Sequence, residues 1–258
     1  SKGNVVDPDD MTSTVGADAL RLYEMFVAPA EKEIEWTDDG LEGSARFLGR
    51  VWRLVTPLVA VLADGAVGPP AADTTNDAER ALRRKTHDTI RRVSVDLDPR
   101  VHLNTAVSGL MELVNELYGF CEHARLGPFA PTDGASAEAP HPNTAAVLKE
   151  AIDALILMLS PFTPHLAEEL WEALGHREGV EAAGWPSFDP DVARAAELVL
   201  PVQVNGKVRA RLTVAVETPD FELRRLALDD PHVRMYTSGK KIARVVVVPG
   251  KLVSVVAR

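Results

Sequence analysis

The sequence predicts an α+β protein in two parts, an all-α helical bundle followed by a small ββαββ domain. Three observations carry this reading. As far as residue 185, apolar side chains recur at three- and four-residue steps, the pattern of helices with one buried stripe. After Glu197 the pattern changes to short Val-rich runs broken by Asn-Gly and Pro-Gly. The charge changes with it. Residues 1–199 carry 17 Lys and Arg against 33 Asp and Glu, whereas residues 200–258 carry 11 against 5.

Taken in order, Asp7-Pro8-Asp9-Asp10 has the form of a helix start: a capping Asp, Pro in the first turn and early acids that suit the helix dipole. Residues 16–28 continue with helical spacing. Over 38–62, Phe47, Leu48, Val51, Trp52, Val55, Leu58, Val59 and Leu62 form one wide stripe, with Pro57 placed to kink it. Residues 65–73 (GAVGPPAAD) are a linker by composition. A polar and basic helix comes next over 76–96, then a long amphipathic one over 99–126, whose stripe includes Leu110, Leu117 and Cys121. After a Pro/Gly/Ala-rich loop at 127–142 come helices over 143–159 and 164–174, the latter with Thr163 as cap. Such helices make a bundle. Strands are expected at 198–204 and 208–216, joined by Asn205-Gly206, the preferred type I′ turn. A helix at 219–228 and strands at 242–248 and 252–256 complete the small domain.

At 258 residues, 46% hydrophobic and 26% charged, the composition excludes wholesale disorder. The apolar runs fall far short of the roughly 18 residues a membrane span needs. Cys121 is the single Cys, so neither an internal disulfide nor a Cys-rich zinc site is available. A reduced, cytoplasmic protein is expected. The first residue is Ser, and the sequence reads straight into structured-looking sequence, so a piece of a longer chain is also expected. The excess of Arg over Lys, 20 to 8, reflects a GC-rich genome rather than a function.

No Walker loop, GxGxxG, HExxH, GxSxG or CxxC is present, and the seven His show no metal-ligand spacing. His165 reads as structural at a helix start, and Cys121 as a buried, inert thiol. Glu168 and Glu169 adjoin on a helix and point apart. The basic residues are more informative. Arg80, Arg84, His87 and Arg91 fall at steps of four, three and four, sharing a helix face that could track phosphates. The same spacing suits a solvated face paired with Asp77, Glu79 and Asp88. In the small domain Lys207, Arg209 and Arg211 alternate along one strand and are expected on one sheet face. Lys240, Lys241, Arg244 and Lys251 add to them, against few acids, which favours a polyanion-binding surface. Few aromatics accompany these cations, so contact through backbone and shape is expected rather than base stacking.

Several segments resemble class I aminoacyl-tRNA synthetases. Ser1-Lys2-Gly3-Asn4 and Val5-Val6-Asp7-Pro8 resemble the end of the KMSKS signature loop and the stretch just beyond it, and Gly16-Ala17-Asp18-Ala19-Leu20-Arg21 the helix after that loop. Phe47–Leu54 (FLGRVWRL), His102–Asn115, Pro161–Trp171 (PFTPHLAEELW), Val202–Lys207 (VQVNGK) and Val247–Val253 (VVPGKLV) are similar to the leucyl-tRNA synthetase family, its bacterial members in particular.

The resemblance implies a C-terminal fragment of such a ligase. Residues 1–37 would be the end of the KMSKS loop and a helical connector, 38–185 an anticodon-binding-type helical bundle, 186–198 a linker and 199–258 a tRNA-binding α+β domain. Ser1 would be the remnant of the ATP loop, with no catalytic residue in the fragment. ATP with Mg and leucine would be used by the parent enzyme, and no cofactor would be bound by the fragment. Its partners would be tRNA-Leu, which the bundle docks without reading, and the remainder of the parent chain. A monomer with no membrane association is expected. Valyl, isoleucyl and methionyl synthetases remain alternatives, as does a non-catalytic protein-interaction module with an incidental basic tail.

Overall fold

A computed structural model describes residues 6–28, 36–63, 67–71, 76–130, 139–194, 197–215, 218–248 and 250–257. The chain divides into two compact units, Ser1–Ala193 and Arg194–Arg258. Ser1 lies outside the described residues.

Among its described residues the regular structure of the first unit is all helical. Helices α1 (Pro8–Val15) and α2 (Ala17–Phe26) meet at Gly16, whose φ of 88° breaks what would otherwise be one rod. Helix α3 (Asp38–Val55) passes into a 3-10 turn at Thr56–Leu58 and a last turn, α4 (Val59–Leu62). The expected Pro57 kink is thus a change of helix type, because Pro57 has no N–H to donate. Phe47, Val51, Leu54, Val55, Leu58 and Leu62 stay buried across the break, while Trp52 sits at the exposed edge.

Helix α5 (Asp77–Leu97) starts on a full capping box. The Asn76 side chain accepts from the Glu79 amide at 2.9 Å, and Glu79 accepts from the Asn76 amide at 3.0 Å. Helix α6 (Leu103–Ala124) has a continuous buried stripe that includes Leu110, Leu117 and Cys121. Helix α7 (Pro142–Leu159) is the central element, apolar over most of its surface, as a helix enclosed by others must be. Trimming Leu110 or Leu155, both fully buried, should cost about 2–5 kcal/mol in lost transfer and residual cavity. Helix α8 (Pro164–Ala173) and two single turns, α9 (Val180–Ala183) and α10 (Pro190–Ala193), complete the unit.

Two family-like segments explain each other here. Asp18 of GADALR accepts from the Leu166 amide at 2.7 Å and from His165 Nδ1 at 2.8 Å, so α2 caps α8. Arg21 donates to the Pro161 and Phe162 carbonyls of PFTPH at 2.9 and 3.3 Å. His165 is therefore bound at a helix start. Cys121 is buried, and burial pushes its thiol up to about 12.

The second unit is a four-stranded sheet in the order β2-β1-β4-β3, formed by β1 (Glu197–Val204), β2 (Lys207–Ala215), β3 (Ile242–Val248) and β4 (Leu252–Ala257). Strands β1 and β4 are parallel and the outer pairs antiparallel. Two helices, α11 (Asp220–Asp229) and α12 (Pro231–Thr237), fill the crossover where the sequence suggests one. The second begins at Asp230, which caps it, followed by Pro231 at N1. Leu200, Val202, Val204, Val253 and Val255 pack with Leu223, Ala227 and Val233 as the core. Asn205 and Gly206 turn the first hairpin at φ 50° and 82°. Asn205 also binds the end of β4, accepting from the Ala257 amide at 3.0 Å and donating to its carbonyl at 2.9 Å.

Candidate nucleic-acid interface

The four spaced cations of α5 do not act together. Arg80 pairs with Asp77, and Arg91 pairs with Asp88 at 2.6 Å, both local and exposed. Arg84 is half-buried and has no ion-pair partner among the described residues. His87 is buried, 7% exposed, and both ring nitrogens are engaged. Nε2 lies 3.2 Å from Glu150 of α7, and Nδ1 accepts from the Asp189 amide at 2.9 Å. His87 therefore leaves the proposed phosphate-tracking face. The reason is long-range: Glu150 and Asp189 stand 63 and 102 residues away, which spacing along one helix cannot reveal.

Other α5 cations are equally well compensated. Arg83 grips Glu150 with Nε at 2.8 Å and Nη2 at 3.1 Å, while Lys85 and Arg92 share Glu112 at 2.7 and 3.0 Å. Burial pushes Glu150 up, but hydrogen bonds from His87 and Arg83, with the Arg83 charge, outweigh it and hold the carboxyl below its usual range. Glu79 behaves alike: burial raises it, and hydrogen bonds from Thr144, the Asn76 amide and Asn143 bring it lower. The same helix also anchors Trp185, the last residue of the expected bundle, and residues 190–193 of the stretch 186–198 that the sequence suggests as a linker. Trp185 Nε1 donates to Ser94 at 2.7 Å, and α10 packs on α5. A depression of about 320 Å³ at the α5–α6 turn, lined by Arg91, Arg92, Asp96, Arg100 and His102, escapes a reading by helix face because it joins two helices.

The second unit differs. Arg225 and Arg234 pair with Glu222 and Asp229, but Lys207, Arg209, Arg211, Lys240, Lys241, Arg244 and Lys251 have no carboxylate partner among the described residues. The three β2 cations do not share a face. Val204 pairs with Lys207 and Gln203 with Val208, but then the register shifts so that Val202 pairs with Ala210 and Pro201 with Arg211. Arg209 is the extra residue of a β-bulge. Its guanidinium lies 3.9 Å from the ring centroid of Tyr236 on α12, on the face that carries the helices. Arg211, opposite Pro201, projects from the other face with Arg244, which pairs with Val256. A signal for this exists in the sequence. A two-residue turn at Asn205-Gly206 without a bulge would set Arg209 against Val202 and Arg211 against Leu200. One inserted residue instead matches Ala210 and Leu212 to those core positions.

Among the described residues no group of His, Cys, Asp and Glu could hold a metal, and no helix is long and apolar enough to cross a membrane. What the arrangement offers chemically is positive charge on a small four-stranded sheet, uncompensated among the described residues. The chain is 44% identical over 257 residues to a leucine–tRNA ligase of Geobacter sp. (strain M21), covering 99% of this chain and 29% of the relative. It is 45% identical over 257 residues to one of Alcanivorax borkumensis, covering 100% of this chain and again 29% of the relative. The chain thus spans less than a third of the length of these curated relatives. A crystal structure of the ternary complex of Agrobacterium radiobacter K84 agnB2 LeuRS, tRNA and LeuAMS matches with a TM-score of 0.79 and 30% identity. The match covers all of this chain and 30% of that one. Residues 79–224 match the family described as the anticodon-binding domain of tRNA ligase, running from the capping Glu79 of α5 to α11 of the second unit. With more than half its length inside that match, the chain belongs to the anticodon-binding domain family of tRNA ligases.

Proposed function

We propose that this chain is the C-terminal part of a leucine–tRNA ligase and that it positions tRNA-Leu for leucylation by a catalytic domain elsewhere in the parent chain. The observation that carries this reading is the end-to-end similarity to leucine–tRNA ligases, at 44% identity over 99% of the chain. The uncompensated cations of the second unit support it, since each Lys or Arg set against a phosphate releases a counterion. Lys207, Arg209, Arg211, Lys240, Lys241, Arg244 and Lys251 are the residues proposed for that contact. On α5, Arg80 and Arg91 would contribute only as far as Asp77 and Asp88 release them, Arg84 only through the part of its side chain that is exposed, and His87 not at all.

In this reading the chain supplies no catalytic residue. ATP with Mg and leucine belong to the parent enzyme, which works in the cytoplasm, and Ser1 is the end of its ATP loop. Binding energy from the body of the tRNA is used to hold the distant acceptor end in place. The chain acts as a monomer in the sense that one copy carries the whole docking surface.

The test is fluorescence anisotropy of labelled tRNA-Leu and a non-cognate tRNA against the 258-residue chain across a salt series. Binding that weakens as salt rises, with tRNA-Leu at least as tight as the other, is the expected result. Absence of binding to either, or affinity indifferent to salt, overturns the reading.

A further inference from the structure

We infer that Arg209 and Tyr236 form a preorganised phosphate-binding fork, built by the β-bulge in β2, for a phosphodiester of the bound RNA. The inference rests on the proposed tRNA docking and assigns one of its phosphate contacts to the helix-bearing face of the second unit.

The argument begins with the strand. Regular alternation would leave Arg209 opposite Val202, in the core row of β1. The bulge inserts it as an unpaired residue and re-aims its side chain toward α12. There the guanidinium carbon lies over the Tyr236 ring, 3.9 Å from its centroid, a cation–π contact that restrains a side chain otherwise free to rotate. Its Nε is shielded from solvent and has no acceptor, and no hydrogen bond or ion pair to any described residue engages the rest of the group. A half-buried Arg that is held against a ring and left without a counter-ion has donors ready for a bidentate phosphate contact.

The surroundings add charge of the same sign. Lys207 pairs with Val204, a core residue, and so stands on the same face of β2 as Arg209. Lys240 donates to the Tyr236 carbonyl at 3.2 Å, which brings a second ammonium to the end of α12. Of the acids on or beside the two helices, Glu222, Asp229 and Asp230 are engaged elsewhere. Asp229 holds Arg225 and Arg234, Glu222 holds Arg225, and Asp230 caps α12. Anion binding therefore has nearby cations to draw on, while these carboxylates of α11 and α12 are already occupied. Tyr236 is a positioning residue here: it touches the guanidinium and acts on the RNA through it.

Anisotropy titrations of tRNA-Leu across a salt series, using the whole chain, test this. Arg209→Ala should weaken binding about tenfold at moderate salt and lower the salt slope by about one. Tyr236→Phe, which keeps the ring, should leave both unchanged. Tyr236→Leu should weaken binding several-fold, and in the Arg209→Ala background it should cost nothing further, because the ring then has nothing to hold. Far-UV circular dichroism of each variant separates this from loss of fold. Arg209→Lys, which keeps the charge but not the fork, should retain the salt slope and still bind more weakly.

If instead Arg211→Ala and Arg244→Ala carry the slope while Arg209→Ala does not, the site lies on the other sheet face and the inference fails with tRNA docking intact. If Tyr236→Leu and Arg209→Ala weaken binding additively, the stack has no positioning role and the inference also fails. If the unaltered chain shows no salt-dependent binding, the docking reading itself falls, and this inference with it.

Discussion

Glu150 of α7 holds two side chains of α5, and its removal gives a sharp test of how the helical unit is held. It accepts two hydrogen bonds from Arg83 and lies 3.2 Å from His87 Nε2. The side chains of Arg83, His87 and Glu150 are 15%, 9% and 24% exposed. Taking one partner from a fully buried pair costs about 3–5 kcal/mol, because the other charge is left without compensation. Discounted for the exposed quarter of the carboxylate, Glu150→Ala should cost roughly 2–3 kcal/mol. At a denaturant slope of about 2–3 kcal/mol/M, this moves the urea midpoint of the helical signal down by about 1 M. Asp88→Ala, which removes the exposed partner of Arg91, should change stability by no more than about 0.5 kcal/mol. The pH dependence has a fixed sign. Glu150 is held below its ordinary value of 4.5, so its contribution is complete above that pH and is lost as pH falls through the folded value. The stability gap between the unaltered chain and Glu150→Gln should therefore be level from pH 7 to about 5 and narrow below 4.5. Equal midpoints for Glu150→Ala and Asp88→Ala, or a gap that widens in acid, would refute the reasoning.

Other expectations arise from the same kinds of contact. Asp18→Ala removes the acceptor that caps α8 from α2 and should lower stability by about 1–2 kcal/mol, read as a drop in melting temperature; no change would mean that the cap is replaced by water. Asn205→Gly keeps the left-handed turn but loses both bonds to Ala257, so the Ala257 amide should exchange faster with solvent while the hairpin stays formed. Cutting the chain after Ala193 should leave a helical unit that unfolds cooperatively, and loss of its helical circular dichroism would contradict the division into two units.

The helices were legible because their signals are local. The stripes of α3, α6 and α7 repeat within a few residues, and Asn76 with Glu79, or Asp7 with Pro8, announce helix starts at short range. The partners of α5 were not legible for the opposite reason. Whether Arg83 and His87 face water or Glu150 depends on where α7 comes to lie, and nothing in the basic run of α5 encodes it. The family-like segments fall between these cases. Gly16–Arg21 and Pro161–His165 were recognisable as separate strings, and only the fold shows that Asp18 and Arg21 of one bind the backbone of the other.

The strand β2 makes the point most clearly, because there the missing information was present in the sequence but lay across two strands. Alternation alone puts Lys207, Arg209 and Arg211 on one face. Combining it with the turn does not. A tight Asn-Gly hairpin fixes Val204 opposite Lys207, and counting outward then sets Arg209 and Arg211 against Val202 and Leu200, both core residues. Two charges directed into a core of Leu and Val would cost far more than one unpaired ladder position. The chain resolves the conflict by inserting one residue, so that Ala210 and Leu212 take the core positions and the twist of the hairpin increases. Arg209 is that inserted residue. The side chain left with no pairing role in the sheet is thus the one that stacks on Tyr236 without an acid beside it, which is why the demand for a closed core and the placement of a candidate anion site have a common origin.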